Sequence, residues 1–201
     1  MERREMMKLL ATLPIGAWAL SSSEVADAAE HTHAVLDALD DEGAQPRAAY
    51  VPKFFQPLEW RTVRVLTDIV IPRDANSGSA TDAGVPEFMD YVMITYTGNQ
   101  TRMREGLGWL NAASRARYGK AFPDLAAPDR VAIVEDLAWP ARAKPEHQAG
   151  VRFFNAFRDL TAGGFFTSRI GVKDIGYIGN VPIVAWTGCT RAAEQHIGVN
   201  L

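Results

Sequence analysis

The sequence predicts an all-α protein with about five helices in one domain, followed by an extended, irregular C-terminal segment rich in glycine and aromatic residues. Five stretches place apolar residues at helical spacing, with Pro or Gly near their ends. No run of alternating apolar and polar residues is long enough to indicate a strand. The 201 residues, 47% hydrophobic and 22% charged, suffice for one domain with its own core.

Charge and cysteine content argue against a nucleic-acid partner and an internal disulfide. The formal net charge is −3, without a basic stripe that would neutralise phosphates, so a nucleic-acid partner is not expected. Cys189 is the single cysteine, so an internal disulfide is impossible. A buried thiol and a disulfide to another chain both stay open for this residue.

The first 29 residues have the layout of an export leader. A charged start is followed by an apolar segment, Leu9–Leu20, and by small residues that end in Ala26-Asp27-Ala28. The apolar segment has about a dozen residues, fewer than the roughly 20 that cross a membrane. We therefore expect the leader to be cleaved rather than kept as an anchor.

Arg3, Arg4 and Lys8 resemble the basic positions of a twin-arginine signal, with two methionines between them as the apolar residues. A general secretory leader that happens to carry two arginines is the alternative. The twin-arginine route carries folded proteins, often with a cofactor, whereas the rest of this sequence shows no cofactor motif.

Residues 30–52 have few bulky apolar side chains and are predicted to be a linker or N-terminal arm, which leaves 53–201 as the helical domain. His31 and His33 could bind a metal, but no third ligand lies at a suitable spacing nearby. A mobile polar tail is the favoured interpretation.

The first two helices are predicted from Leu58 to Val70 and from Val85 to about Gly98. Pro57 favours the first turn of the first helix, and Pro86 does the same in the first turn of the second helix. The polar loop between them does not match the spacing of a calcium-binding loop, so turn and capping roles are expected for its polar side chains, Asp74, Asn76 and Asp82.

The other three helices are predicted over 101–118, over 128–137 and from His147 to Leu160, with Gly163-Gly164 closing the last one. The stretch from Gly163 to Cys189 then combines many large apolar side chains with frequent glycines, which oppose regular structure. Such apolar surface is covered by the rest of the chain or by a partner. An interaction protein is therefore favoured over an enzyme.

Motifs for catalysis are weak. The sequence has no glycine-rich nucleotide or flavin cradle and no haem c attachment motif. Cys189 and His196 could act as nucleophile and base, but nothing in the sequence brings them together. The carboxylates considered as candidates are interpreted as caps or surface charges: Asp136, Asp159 and Asp174.

Four sequence pieces between Phe54 and Cys189 then carry a resemblance. They are FF…EW at the start, IPRD through GVPEF, GLGWL, and GFFTS…GYIGNV…GC. Together they resemble the gluconate 2-dehydrogenase subunit 3 family, the small subunits of flavin-dependent sugar and polyol dehydrogenases. Some of these pieces look closest to small subunits paired with pyranoside-oxidising flavoproteins.

The resemblance implies an accessory role without a cofactor in this chain. A large subunit of the glucose-methanol-choline oxidoreductase type would hold FAD and take hydride from a sugar hydroxyl, and a cytochrome c subunit with haem c often passes electrons onward. The small subunit would supply the export signal to the twin-arginine translocase and stay bound in the periplasm, with any membrane association through its partners. The residues expected at the partner interface are Phe165, Phe166, Tyr177, Asn180, Trp186 and Cys189.

Two alternatives from other classes stay open. One is a free-standing periplasmic enzyme that uses Cys189 and His196 or an unrecognised acidic site. The other is a stand-alone helical ligand-binding domain whose C-terminal segment folds back on its own core.

Overall fold

A computed structural model describes residues 21–40, 50–177, 188 and 191–198, and this part of the chain is α-helical without strands. The all-α prediction is confirmed. The helices, in chain order, are α1 Ser22–Asp40, α2 Pro57–Val70, α3 Val85–Thr95, α4 Gln100–Tyr118, α5 Ala127–Ala138, α6 Gln148–Phe166, α7 Arg169–Asp174 and α8 Arg191–Ile197. Short 3-10 turns precede α4 and α6, and a third lies between α4 and α5.

The five predicted helices correspond to α2 through α6. Helix α6 is the centre of the fold, since α1 to α5 and α7 all pack against it. It contributes several of the largest fully buried side chains, which belong to one continuous apolar core: Phe154, Phe157 and Phe165.

Helices α4 and α6 approach each other closely through two glycines that face aromatic rings. A Cβ atom on Gly106 of α4 would lie 1.9 Å from Cδ2 of Phe153 on α6. In return, a Cβ on Gly150 of α6 would lie 2.2 Å from Cζ3 of Trp109 on α4. Each helix thus offers a bare backbone to a ring of the other, which fixes their relative position because interiors tolerate little overlap.

The prediction that Gly163-Gly164 ends α6 is wrong. The helix continues to Phe166, and the ring of Phe88 on α3 fills the space beside Gly164, where a Cβ would lie 2.7 Å from Cδ1 of Phe88. Packing therefore overrides the roughly 1 kcal/mol that glycine loses relative to alanine in a helix. The segment predicted to be extended also contains two helices, α7 and α8, while 178–187 lie outside the described residues.

The structure also differs from the predicted linker at residues 30–40, which belong to α1. This helix begins within the proposed leader and packs on α3 and α6. Ala28, Ala29 and Thr32 are buried. Small side chains of this kind give a weak apolar pattern in the sequence, yet they allow a helix to lie close against its neighbours.

A buried carboxylate fixes the segment that precedes α2. Asp90 of α3 accepts hydrogen bonds from the Tyr50 hydroxyl (2.9 Å) and from the backbone N–H groups of Lys53 (2.8 Å), Phe54 (3.0 Å) and Phe55 (3.2 Å). Burial, with a contribution from the Asp90 carboxylate, raises the pKa of Tyr50 above its ordinary value. Four hydrogen-bond donors thus compensate for the removal of the Asp90 carboxylate from water.

Arg104 of α4 contacts both ends of the FF…EW piece. Its guanidinium donates to both carboxylate oxygens of Glu59 at 2.9 and 2.8 Å and to the Phe54 carbonyl at 3.0 Å. It also lies over the Phe54 ring, 4.2 Å from the centroid. Glu59 in turn accepts the Gln56 N–H at 2.8 Å, as in a capping box. The start of α2 is thereby joined to α4.

Candidate partner interface

Two large apolar side chains are exposed where α7 ends. Ile175 is 53% exposed and Tyr177 is 56% exposed. Within the described residues only Val51 and Ile94 join them as exposed large hydrophobics. Ile175 and Tyr177 are two positions apart and directly precede the apolar, glycine-rich stretch of the sequence, so they form the exposed apolar end of α7.

A helix C-cap holds this end in place. The Tyr177 N–H donates to the Val172 carbonyl (3.1 Å) and the Gly176 N–H to the Lys173 carbonyl (3.1 Å), which together form a Schellman motif. Gly176 supplies the left-handed conformation that this motif requires, with φ +65°. The cap stops α7 and keeps Ile175 and Tyr177 at the surface instead of continuing a helical face.

The base of α7 is anchored to α6. The Ser168 hydroxyl accepts the Gly171 N–H at 3.0 Å and donates to the Phe165 carbonyl at 2.6 Å. The Thr167 hydroxyl donates to the Gly163 carbonyl at 2.7 Å. A Cβ on Gly171 would lie 1.9 Å from the Phe165 carbonyl oxygen, so glycine is needed for α7 to lie this close. Hydrogen bonds and close packing therefore join the start of α7 to the end of α6.

The predicted interface residues separate into three groups. Phe165 is fully buried in the chain's own core, and its contact with a partner stays a prediction. Phe166 packs partly buried against that core, with its ring edge-to-face to Phe165 at 5.2 Å, and Tyr177 is exposed. The other predicted interface and signal residues lie outside the described part of the chain: Asn180, Trp186, Cys189, Arg3, Arg4 and Lys8. Ile175 was not among the predicted interface residues.

A second surface feature is a groove of about 320 Å³ between α4, α5 and the start of α6. Ala113 and Ala116 leave its floor open because their side chains are short. Arg117 and Asp136 form an ion pair of 2.7 Å on one side. The remaining lining residues are mostly apolar: Trp109, Ile133, Leu137 and His147. The groove is suited to an apolar side chain rather than to a charged ligand.

The histidines considered as metal ligands lie on α1. The His31 ring stacks on Tyr91 with centroids 4.0 Å apart. Burial, with the positive charge of Arg169 as a second cause, lowers the pKa of His33, and Asp37 opposes that shift. Across the described residues, no cluster of three or more His, Cys, Asp or Glu side chains could hold a metal ion.

The carboxylates expected in turns have that role. Asp74 accepts the N–H groups of Asn76 (2.8 Å) and Ser77 (2.9 Å), and Asp82 accepts the Ser79 N–H (2.6 Å) and the Arg73 guanidinium (2.7 Å). The turn prediction for this loop is confirmed.

The remaining candidate residues do not assemble within the described part. Asp159 pairs with Arg158, whose guanidinium lies 2.7 Å from it and is almost completely buried on α6. No sequence motif predicts this buried arginine. His196 is exposed on α8, while its proposed partner Cys189 lies outside the described residues. In the part of the chain that the structure describes, no helix is both long and apolar enough to cross a membrane.

Fold and surface together define a small all-α protein whose exposed apolar end adjoins its C-terminal segment. The model of a family described as gluconate 2-dehydrogenase subunit 3 matches residues 57–185, which is more than half of the chain. The chain therefore belongs to the gluconate 2-dehydrogenase subunit 3 family, and so to a family of subunits of a gluconate dehydrogenase complex. Comparisons with curated proteins and with solved structures gave no match.

Proposed function

We propose that this chain is a non-catalytic small subunit of a periplasmic, FAD-dependent sugar or polyol dehydrogenase complex of the gluconate or pyranoside type. It brings the flavoprotein subunit to the periplasm through its own twin-arginine signal and then stays bound as a stabilising partner. FAD belongs to the large subunit, of the glucose-methanol-choline oxidoreductase type, and haem c to a third, cytochrome subunit.

The observation that carries this proposal is the family match over residues 57–185. The match starts at the first residue of α2, passes through the core helices and includes the exposed apolar end of α7. A subunit family explains why a chain with a complete core of its own also displays Ile175 and Tyr177 to solvent.

The leader supports the export part of the proposal. Arg3, Arg4 and Lys8 stand at the positions of a twin-arginine signal. That route accepts folded cargo, so one signal suffices for two chains that have already assembled. A flavoprotein that has taken up FAD before transport is cargo of this kind.

Co-purification tests the complex. A tagged form of this chain is recovered from its native periplasm, and its visible spectrum is recorded together with intact masses under reducing and non-reducing conditions. The expected result is a yellow complex with a much larger flavoprotein. A combined mass that separates on reduction assigns an intersubunit disulfide to Cys189. A colourless, monodisperse single chain contradicts the proposal and favours a free-standing binding protein or enzyme.

Replacement of Arg3 and Arg4 by lysine tests the escort role. Both chains are expected to stay in the cytoplasm. The same result is expected with the wild-type chain in cells that lack the twin-arginine translocase, which serve as the control. If the flavoprotein still reaches the periplasm, the escort role is wrong, even where the complex itself forms.

A further inference from the structure

The predicted processing site lies inside a packed helix. Ala26, Asp27 and Ala28, the small-residue end of the leader, are in the first half of α1. Ala28 is completely inaccessible to solvent and Ala29 nearly so. Ala26 and Asp27 are exposed, but the peptide bond after Ala28, which a leader peptidase is expected to cut, lies within the helix and joins two buried residues.

The first half of α1 is held by residues of α3 and α6. The hydroxyl groups of Tyr91 and Tyr96 lie 3.4 and 3.3 Å from the Asp27 carboxylate, to which they donate hydrogen bonds. Val25 packs against the core beside Gly163, where a Cβ on that glycine would lie 3.5 Å from Cγ1 of Val25.

The second half of α1 adds contacts with α3 and α7. Leu36 occupies the space beside Gly84, at the start of α3, where a Cβ would lie 2.3 Å from Cδ1 of Leu36. His31 stacks on Tyr91. Asp37 accepts two hydrogen bonds of 2.7 Å from Arg169, the first residue of α7. Contacts on both sides of the processing site therefore keep α1 in place.

A protease cuts a peptide bond in a packed helix only after that segment opens locally, so its rate follows the population of the open state. Folded cargo of the twin-arginine route would meet the leader peptidase with α1 already packed. A cut after Ala28 would also divide α1 and separate Val25 and Asp27 from the contacts that hold it.

We propose that folding conceals the processing site, so that the folded subunit keeps residues 1–29 and is cut only when α1 leaves its position. This proposal rests on the proposed export role, because the processing site is defined by the leader. In this proposal, the contacts of α1 with α3, α6 and α7 determine whether the leader is removed.

The first test is the intact mass of the chain in the exported complex. A mass that includes residues 1–29 is expected. A wild-type chain that begins at Ala29 or Glu30 overturns the proposal.

The second test leaves the sequence around the processing site unchanged. In the variant R169A/Y91A, the purified full chain loses the ion pair to Asp37 and the stacking on His31, and R152A changes an exposed arginine of α6 as a matched control. Elastase, which cuts after small residues, is expected to cut at 26–29 about tenfold faster in the double variant than in wild type or R152A. If the double variant unfolds as a whole, R169A alone is used, and a smaller increase in the elastase rate at 26–29 is expected.

Equal elastase rates at 26–29 in wild type, R169A and R169A/Y91A overturn the proposal. This assay needs neither a partner nor export, so it can fail or succeed independently of the escort role. Conversely, a lysine variant at Arg3 and Arg4 that is exported normally contradicts the escort role and leaves the elastase result valid.

Discussion

The ring of Phe88 on α3 lies against the bare α-carbon of Gly164 on α6. A Cβ on Gly164 would lie 2.7 Å from Cδ1 of Phe88, and this ring is fully buried. The adjacent Gly163 differs, because its nearest neighbour, Cγ1 of Val25, would be at an ordinary 3.5 Å. Two neighbouring glycines of one helix thus have opposite tolerance for a side chain.

This difference predicts opposite effects of alanine at the two positions. G164A is expected to lower the free energy of unfolding by about 1–3 kcal/mol through overpacking. G163A is expected to leave it unchanged or to raise it by up to about 1 kcal/mol, because alanine favours the helix. Urea unfolding followed by circular dichroism measures both, and equal values for the two variants contradict the packing described here.

The GLGW piece of α4 offers a second matched pair. G106A places a methyl group on the Phe153 ring, whereas a Cβ on the exposed Gly108 meets nothing within 4 Å. We expect G106A to destabilise the protein by about 3 kcal/mol and G108A to stabilise it by up to about 1 kcal/mol. Thermal unfolding of the two variants checks this, and a destabilising G108A argues against the helix as described.

The Asp90 carboxylate is expected to be a main support of the segment before α2. D90N keeps the size of the side chain but presents an amide group to several N–H donors, so a loss of about 3 kcal/mol is expected. Y50F removes one of the four hydrogen bonds and is expected to lose about 1 kcal/mol. Urea unfolding ranks the two variants, and a loss in D90N no larger than that in Y50F would show that the backbone donors contribute little.

His33 predicts a pH dependence of stability. Its pKa in the folded protein is lower than the ordinary 6.5, so the unfolded chain binds more protons as the pH falls through that region. The contribution of neutral His33 is therefore complete above about pH 6.5 and is lost as the pH falls toward the lower folded value. Urea unfolding between pH 5 and 8 is expected to show this slope in wild type and a smaller slope in H33Q. An unchanged slope in H33Q assigns it to other groups.

Ile175 and Tyr177 are expected to contribute to binding and not to folding. I175S/Y177S is expected to keep the melting temperature within a few degrees, because both side chains are exposed, and to weaken recovery of the flavoprotein at least about tenfold. V51S changes a side chain that is 76% exposed elsewhere and serves as the matched control. Normal flavoprotein recovery with I175S/Y177S excludes this surface from the interface.

Helices α2 to α6 could be predicted because their apolar spacing is strong and Pro or Gly residues lie near their ends. α1 could not, since its buried face is built largely from alanine and threonine, and its helical state depends on contacts with α3, α6 and α7. The continuation of α6 through Gly163-Gly164 likewise depends on Phe88, which lies about 75 residues earlier.

The exposure of the candidate interface residues could be predicted only in part. Tyr177 was selected and is exposed, whereas Phe165 was selected and is buried. Two consecutive phenylalanines give no sign of which ring faces inward, because that depends on the helical phase of α6. Ile175 was missed because its exposure follows from the cap at Gly176 and not from an apolar pattern.

The bond between Asp37 and Arg169 joins positions 132 residues apart. At a synthesis rate of about 5–20 residues per second, the ribosome needs roughly 7–26 s to produce Arg169 after Asp37. During the first part of that interval α1 lacks α3, and for most of it α1 also lacks α6 and α7. Helix α1 is therefore unpacked on a nascent chain and packed on a finished one. A factor that binds this helix can distinguish the two states.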